Sequence, residues 1–247
     1  EARQLPPGFT EDMILRAPSQ DIMNKLSRSV LALYSFDDRP DDLSAENLLR
    51  QSIELIARFP TIVANAYAAK RHYYDHDSLY IHNTDPSLTT AEDFLRMMRK
   101  DKSFTPEEAH LLDLMLMIHA EHGGGNNSTY VCRAISSSNT DTYSAIAGAV
   151  GSLKGPLHGG ANAKVMQMFH NIQDHVRDHE DEDELSAYLL KILRGQANDG
   201  TGKIYGLGHA VYTMSDPRCE LIKKYSMTVA ERSGHREELE LMMRIEK

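Results

Sequence analysis

The strongest constraint on the fold is how the chain starts and stops its helices. Thr105-Pro106-Glu107-Glu108 offers a cap hydroxyl, a proline at the first helical position and a glutamate placed to reach back to the cap. The helix it opens, expected over about 106–121, must stop at Gly123-Gly124-Gly125. Its Leu111, Leu112, Met115, Leu116 and Ile118 are too apolar for a single face, so the pattern predicts deep burial. Thr89 with Glu92 is a second capping box.

Helical spacing recurs along the rest of the chain. Leu49, Ile53, Ile56 and Ala57 repeat at helical intervals, as do Ile62, Ala66 and Tyr67, and later Phe94 with Met97 and Met98. Further helices are expected at about 141–154, 160–172, 183–194 and 217–232, the last ending before Gly234. The 141–154 helix carries Ala145, Ala147, Gly148, Ala149 and Gly151, so another backbone can approach it closely. Tight helix–helix packing follows, with a subunit interface as its expected setting. Only Lys203-Ile204-Tyr205 hints at a strand, and there is no internal repeat. The expected fold is all-α.

Charge and cysteines narrow the class. A formal net charge of −9 disfavours broad phosphate-backbone binding, so no nucleic-acid partner is expected. The seven acids against one arginine between Asp174 and Glu184 read as a solvated loop or helix entry. Cys132 and Cys219, 87 positions apart, match no metal or redox spacing and suit a reducing, cytoplasmic setting. The longest apolar stretch, Leu111 to Ala120, contains Asp113 and is far short of the ~20 residues of a membrane span. Both ends of the chain, Glu1-Ala2-Arg3 and Met242 to Lys247, are unlike natural termini, and the second reads as helix interior; a fragment of a longer protein is expected.

Histidines flanked by glycines are the chemical signal. Among the twelve histidines, His72, His76 and His82 lie in a polar, tyrosine-containing stretch, and His170, His175, His179 and His235 on helical or acidic faces. Three others stand apart. His122 ends the apolar helix in His119-Ala120-Glu121-His122-Gly123-Gly124-Gly125-Asn126-Asn127-Ser128-Thr129, where helix carbonyls favour an imidazolium or a donating ring. His158, in Gly155-Pro156-Leu157-His158-Gly159-Gly160-Ala161-Asn162, precedes a helix N-terminus whose dipoles favour a neutral imidazole, a useful electrophile for a developing enolate. His209, in Gly206-Leu207-Gly208-His209-Ala210-Val211-Tyr212, follows a glycine turn, with Arg218 nine residues later in Asp216-Pro217-Arg218. A single such cluster also reads as a helix cap; three in one chain point to a site. His119 and His122 could share a helical face, but no His-Glu-x-x-His pattern or completing carboxylate motif follows, so no metal is expected.

Taken in order, these three blocks resemble citrate synthase. Leu31-Ala32-Leu33-Tyr34-Ser35, Leu55-Ile56-Ala57-Arg58-Phe59-Pro60 and Asp141-Thr142-Tyr143-Ser144-Ala145-Ile146 extend the resemblance over nearly the whole chain, and Glu-His-Gly-Gly-Gly-Asn-Asn-Ser-Thr looks bacterial. The resemblance implies a large helical domain at 1–158, part of a smaller helical domain at 159–247, closure of one over the other, and a homodimer. It implies condensation of acetyl-CoA, a co-substrate and not a resident cofactor, with oxaloacetate. His122 would bind oxaloacetate, with Asn126 beside it. His158 would hydrogen-bond the thioester carbonyl, and His209 would polarise the ketone. Arg218 would clamp a carboxylate. The backbone of Lys203, Ile204, Tyr205, Gly206, Leu207 and Gly208 would receive the CoA adenine.

The family's catalytic base, an aspartate beyond the third histidine block, has no match here. Glu220, Glu231, Glu237, Glu238, Glu240 and Glu246 sit in helical surface patterns instead, so the chain alone is expected to lack synthase activity. Thr213 stands where some relatives carry a basic residue near a CoA phosphate. 2-Methylcitrate synthase, using propionyl-CoA, shares the histidine set. A non-catalytic helical binding protein and a histidine-dependent metal hydrolase are the readings from other classes.

Overall fold

The computed structural model describes residues 2–120, 124–207 and 216–247. They form ten α-helices: α1 (Ile22–Ala32), α2 (Ala45–Tyr74), α3 (Thr90–Met98), α4 (Pro106–Ile118), α5 (Asn127–Ser136), α6 (Thr142–Leu153), α7 (Ala161–His175), α8 (Glu182–Leu193), α9 (Pro217–Ser233) and α10 (Arg236–Glu246). A π-helical turn, Thr10–Leu15, precedes α1, and a 3-10 turn, Leu33–Phe36, follows it. No strand occurs among the described residues. Lys203 and Ile204 are irregular and Tyr205 opens a turn, which corrects the strand expected there. Four closely placed glycines, at 195, 200, 202 and 206, all with positive φ, turn this stretch too sharply for strand pairing.

The starts of the helices follow from short polar side chains. At α3, the Thr89 N–H donates to Glu92 at 2.8 Å and the Glu92 N–H to the Thr89 hydroxyl at 3.3 Å. Thr105 and Glu108 repeat the exchange at α4, at 2.8 and 3.2 Å. Asp21, Asp141, Asp181 and Asp216 accept first-turn N–H groups of α1, α6, α8 and α9. Each such cap contributes about 1 kcal/mol. α9 ends where expected, with Gly234 in the left-handed conformation at φ 78°.

The chain divides into two compact units, Glu1–Lys154 and Gly155–Lys247. In the first, Phe9, Ile14, Leu26, Val30, Leu55, Ile62, Tyr143 and Val150 form a core drawn from the N-terminal turn, α1, α2 and α6. Pro60 lies inside the 30-residue α2 and removes a donor to the Ile56 carbonyl. Ile56 is exposed, so water can satisfy that carbonyl. Lys25, only 2% exposed, donates its Nζ to the carbonyls of Met13 and Ala17 at the end of the π turn.

The small residues of α6 serve packing within the chain. A Cβ at Gly148 would collide with Ile135 of α5, and Ser27 of α1 donates to the Ala147 carbonyl at 2.8 Å. Gly151 faces open space.

Asp37, just after the 3-10 turn, gathers the first unit's polar contacts. Its carboxylate accepts from Arg50 at 2.7 Å, Gln51 at 2.9 Å and Tyr143 at 2.8 Å.

One burial expectation fails. In α4 only Ala109 and Leu114 are buried, while Met115, Leu116 and Met117 are 36, 46 and 62% exposed. α4 packs chiefly on α3 alone, so its apolar residues outnumber the surface available to cover them in this unit.

In the second unit, Met168, Phe169 and Ile172 of α7 meet Leu185, Tyr188 and Ile192 of α8 and Leu241 of α10. The acidic run 174–184 leads into α8: Asp181 caps it by accepting the N–H groups of Asp183 and Glu184, and the Glu184 carboxylate accepts those of Arg177 and Asp178 at 3.0 and 3.1 Å. That places negative charge at the positive end of the helix.

Candidate functional site

His158 lies in the second unit, on a tight turn that runs into α7. Its N–H donates to the Gly155 carbonyl at 2.9 Å, and its own carbonyl accepts from Ala161 at 3.1 Å. Gly160, in helical conformation at φ −63°, leads into α7 without a side-chain cap. The half-buried His158 therefore precedes the positive end of a 15-residue helix by one turn. A group that gains negative charge there is favoured by the helix dipole. The adjoining Leu157 is 96% exposed.

The Lys203–Leu207 segment lies on the same helix. The Tyr205 N–H donates to Sδ of Met168 at 3.3 Å, and Ile204 and the Tyr205 ring pack on the second unit's core. Gly206, at φ 86°, lies so close to Val165 that a Cβ would come within 3.1 Å of Cγ2. Val165 and Met168 occupy one face of α7, so that helix carries both the His158 turn and this segment.

Arg218 sits in the first turn of α9. Its Nη2 and Nε donate to Asp216, the cap of that helix, at 2.7 and 3.0 Å, and its backbone N–H donates to the same carboxylate at 2.9 Å. Proline at the first helical position sets the turn. Asn126 belongs to the first unit, at the cap position of α5, where its carbonyl accepts from Tyr130 at 2.9 Å. The neighbouring Asn127 ties α5 to α6 through Ser152 at 2.7 Å. His122, Gly208 and His209 lie outside the described residues. The structure thus brings Lys203–Leu207 onto the helix that follows His158. Arg218 is on a separate helix of the same unit, and Asn126 is in the other unit.

His72, His82 and His175 have local structural roles. Ring nitrogens of His72 and His82 bond the carbonyls of Asp77 and Arg99, at 2.9 and 3.0 Å. His175 bonds the Asn171 carbonyl within α7 and stacks on Tyr188. Among the described residues, no group of three or more histidines, cysteines and acids could hold a metal. No helix there is long and apolar enough to cross a membrane. Both cysteines are free thiols. Cavities of about 420 and 560 Å³ in the first unit, one beside Asn65 and one beside Arg71, contain none of the candidate residues.

One residue escaped the sequence reading. Asp199-Gly200 has the form of a turn, and nothing local shows that its carboxylate also reaches Lys164 of α7 and the Tyr205 hydroxyl.

Comparison with known proteins gives a consistent picture. The family model described as citrate synthase, C-terminal domain, matches residues 1–247. The citrate synthase of Deinococcus radiodurans is 36% identical over 225 residues, covering 91% of this chain and 54% of the relative. The 2-methylcitrate synthase of Shewanella oneidensis is 32% identical over 176 residues, covering 71% and 42%. Among solved structures, citrate synthase from Pyrobaculum aerophilum superimposes with a TM-score of 0.78 at 27% identity, covering 99% of this chain and 58% of that one. The Thermoplasma acidophilum citrate synthase, solved with carboxymethyl coenzyme A and oxaloacetate, gives 0.78 at 22% identity, covering 99% and 59%. The chain spans about half the length of the curated relatives it matches.

Proposed function

Since the chain belongs to the citrate synthase family, we propose that the protein carrying it condenses acetyl-CoA with oxaloacetate to give citrate and CoA. One observation carries the reading: the family match runs through residues 1–247 and so takes in all three histidine blocks, in order. Acetyl-CoA enters as co-substrate, and the chemistry needs no resident cofactor.

In this reading, the acetyl methyl group loses a proton while His158 donates a hydrogen bond to the thioester oxygen, where charge develops. The resulting enol carbon attacks the ketone carbon of oxaloacetate. His209 polarises that ketone and protonates the new alkoxide. His122 and Arg218 hold the dicarboxylate, Arg218 through its planar fork of donors, and Asn126 is assigned to substrate binding. The backbone of Lys203, Ile204, Tyr205, Gly206, Leu207 and Gly208 receives the adenine end of CoA. Water then cleaves the citryl thioester and releases CoA.

The base that takes the methyl proton is not assigned to any acid after Arg218. Glu220 and Glu246 pair with Lys223, Glu231 and Glu240 with Arg236, and Glu238 with His235. These are surface contacts of α9 and α10 with their flanking residues. The protein is further proposed to act as a homodimer, and the exposed Met115, Leu116 and Met117 of α4 support an apolar contact surface.

The test is CoA release from acetyl-CoA and propionyl-CoA, each with oxaloacetate. One methylene in an apolar pocket changes kcat/KM by about 10- to 200-fold. A preference for acetyl-CoA of tenfold or more supports the reading. A preference of that size for propionyl-CoA moves the assignment to 2-methylcitrate synthesis, and CoA release that does not need oxaloacetate overturns both.

A further inference from the structure

The segment from Arg194 to Leu207 has no regular structure, and four of its glycines adopt positive φ. A chain of this kind has many conformations of similar energy, so something must hold it in one. Two backbone turns, closed by Gly195 N–H on the Ile192 carbonyl and Gly200 N–H on the Ala197 carbonyl, order its first half. The second half, Lys203–Leu207, makes no backbone–backbone hydrogen bond among the described residues. The Tyr205 N–H is given to Sδ of Met168, so the shape of this half depends on side chains.

Asp199 supplies the link. Its Oδ1 accepts from the Thr201 N–H at 3.2 Å and the Thr201 hydroxyl at 2.7 Å. Its Oδ2 accepts from the Tyr205 hydroxyl at 2.7 Å and from Nζ of Lys164 at 3.4 Å. The Thr201 and Tyr205 hydroxyls also lie 3.1 Å apart. One carboxylate thus joins the middle of the segment, its far end, and the first turn of α7. The donated bonds, Thr201 first and then Tyr205, hold this carboxyl well below the usual aspartate range. Lys164, Val165 and Met168 form a continuous face of α7 against which the whole segment is fixed.

We propose that Asp199 is a positioning residue for acyl-CoA: it holds the backbone of Lys203–Leu207 in the presented form that receives the adenine end. The proposal rests on the synthase reading given above. Asp199 touches neither reacting carbon, so its loss acts on CoA binding and leaves the chemical step in place. An unheld segment must be ordered at the moment of binding, and that ordering cost appears as weaker affinity.

The test compares wild type with Asp199→Ala and Tyr205→Phe in the protein that carries this chain. Tyr205→Phe keeps the packed ring and removes only the hydroxyl, so it gives the same answer should Asp199→Ala fail to fold. CoA binding is measured by calorimetry, together with steady-state kinetics. The KM for acyl-CoA and the Kd for CoA should rise roughly tenfold in Asp199→Ala and less in Tyr205→Phe. In Asp199→Ala the KM for oxaloacetate and kcat at saturation should stay within about twofold, while Tyr205→Phe is read through CoA affinity alone. Equal CoA affinity in wild type and variants, or a fall in kcat without a change in acyl-CoA KM, overturns the positioning role while leaving the synthase reading intact. Absence of CoA binding and of turnover in wild type overturns both together.

Discussion

The carbonyl of His158 accepts the N–H of Ala161 at 3.1 Å, so the backbone of the histidine is part of the turn that opens α7. The turn is closed by peptide groups, with glycines on either side, and these backbone bonds do not pass through the His158 side chain. His158→Ala should therefore leave folding stability within about 1 kcal/mol of wild type. Urea denaturation checks this, and a loss of several kcal/mol would make the ring a structural element of the turn.

The first unit depends instead on a buried carboxylate. Burial alone would raise the pKa of Asp37, but hydrogen bonds from the Arg39 N–H, Gln51, Tyr143 and Arg50 outweigh it and hold the group well below the usual aspartate range. Asp37→Ala should cost about 2–3 kcal/mol, because the partners left behind lose their acceptor. Tyr143→Phe should cost about 1 kcal/mol. A folded pKa below the unfolded one means that the contribution is present above the unfolded value, about 3.9, and is lost as pH falls toward the folded value. The stability gap between wild type and Asp37→Ala should accordingly narrow as pH drops below about 4. A gap constant down to pH 2 would contradict the assignment.

Lys25 shifts in the same direction as Asp37, but because burial disfavours its charged form. Burial, aided by the nearby Arg28, lowers its pKa from the ordinary 10.5 to about 8. Between those values the unfolded chain binds the proton that the folded chain has released, so stability rises with pH across that window. Lys25→Met should remove this rise, as read from urea midpoints between pH 7.5 and 10. Parallel pH profiles for the two proteins would show that Lys25 remains fully charged when buried.

The exposed apolar residues of α4 predict a self-association surface. Leu116→Asp and Met117→Asp each place a charge where burial in a dimer would leave it unpaired. The dimer Kd should rise at least tenfold, with little change in the far-ultraviolet circular dichroism of the protomer. Analytical ultracentrifugation measures this, and an unaltered sedimentation profile would remove α4 from the interface.

Helix starts were legible in the sequence because capping is local: Thr89, Thr105, Asp141 and Pro217 signal within four residues. The left-handed Gly234 was legible for the same reason. α5 was not, since Asn127-Ser128-Thr129 continues a glycine-rich run and its apolar residues are too few to set a period. The burial of α4 was misjudged because apolarity shows what a side chain favours and not which surface is present to cover it. Contacts such as Tyr143 with Asp37, 106 residues apart, depend on how the helices pack and leave no local trace. Among the candidate site residues, His158 and Arg218 stood out through their glycine and proline contexts. Asp199 looked like an ordinary turn residue because its partner Lys164 lies 35 positions away on α7.

In the proposed synthase, this chain contributes the thioester-polarising histidine, His158. Release of CoA thiol tests it most directly, measured with acetyl-CoA and oxaloacetate on the protein that carries this chain, wild type beside His158→Ala. Turnover should require both substrates and fall on the order of 10²–10³ in kcat when the imidazole is removed. Turnover that His158→Ala leaves unchanged, in a correctly folded protein, would contradict it.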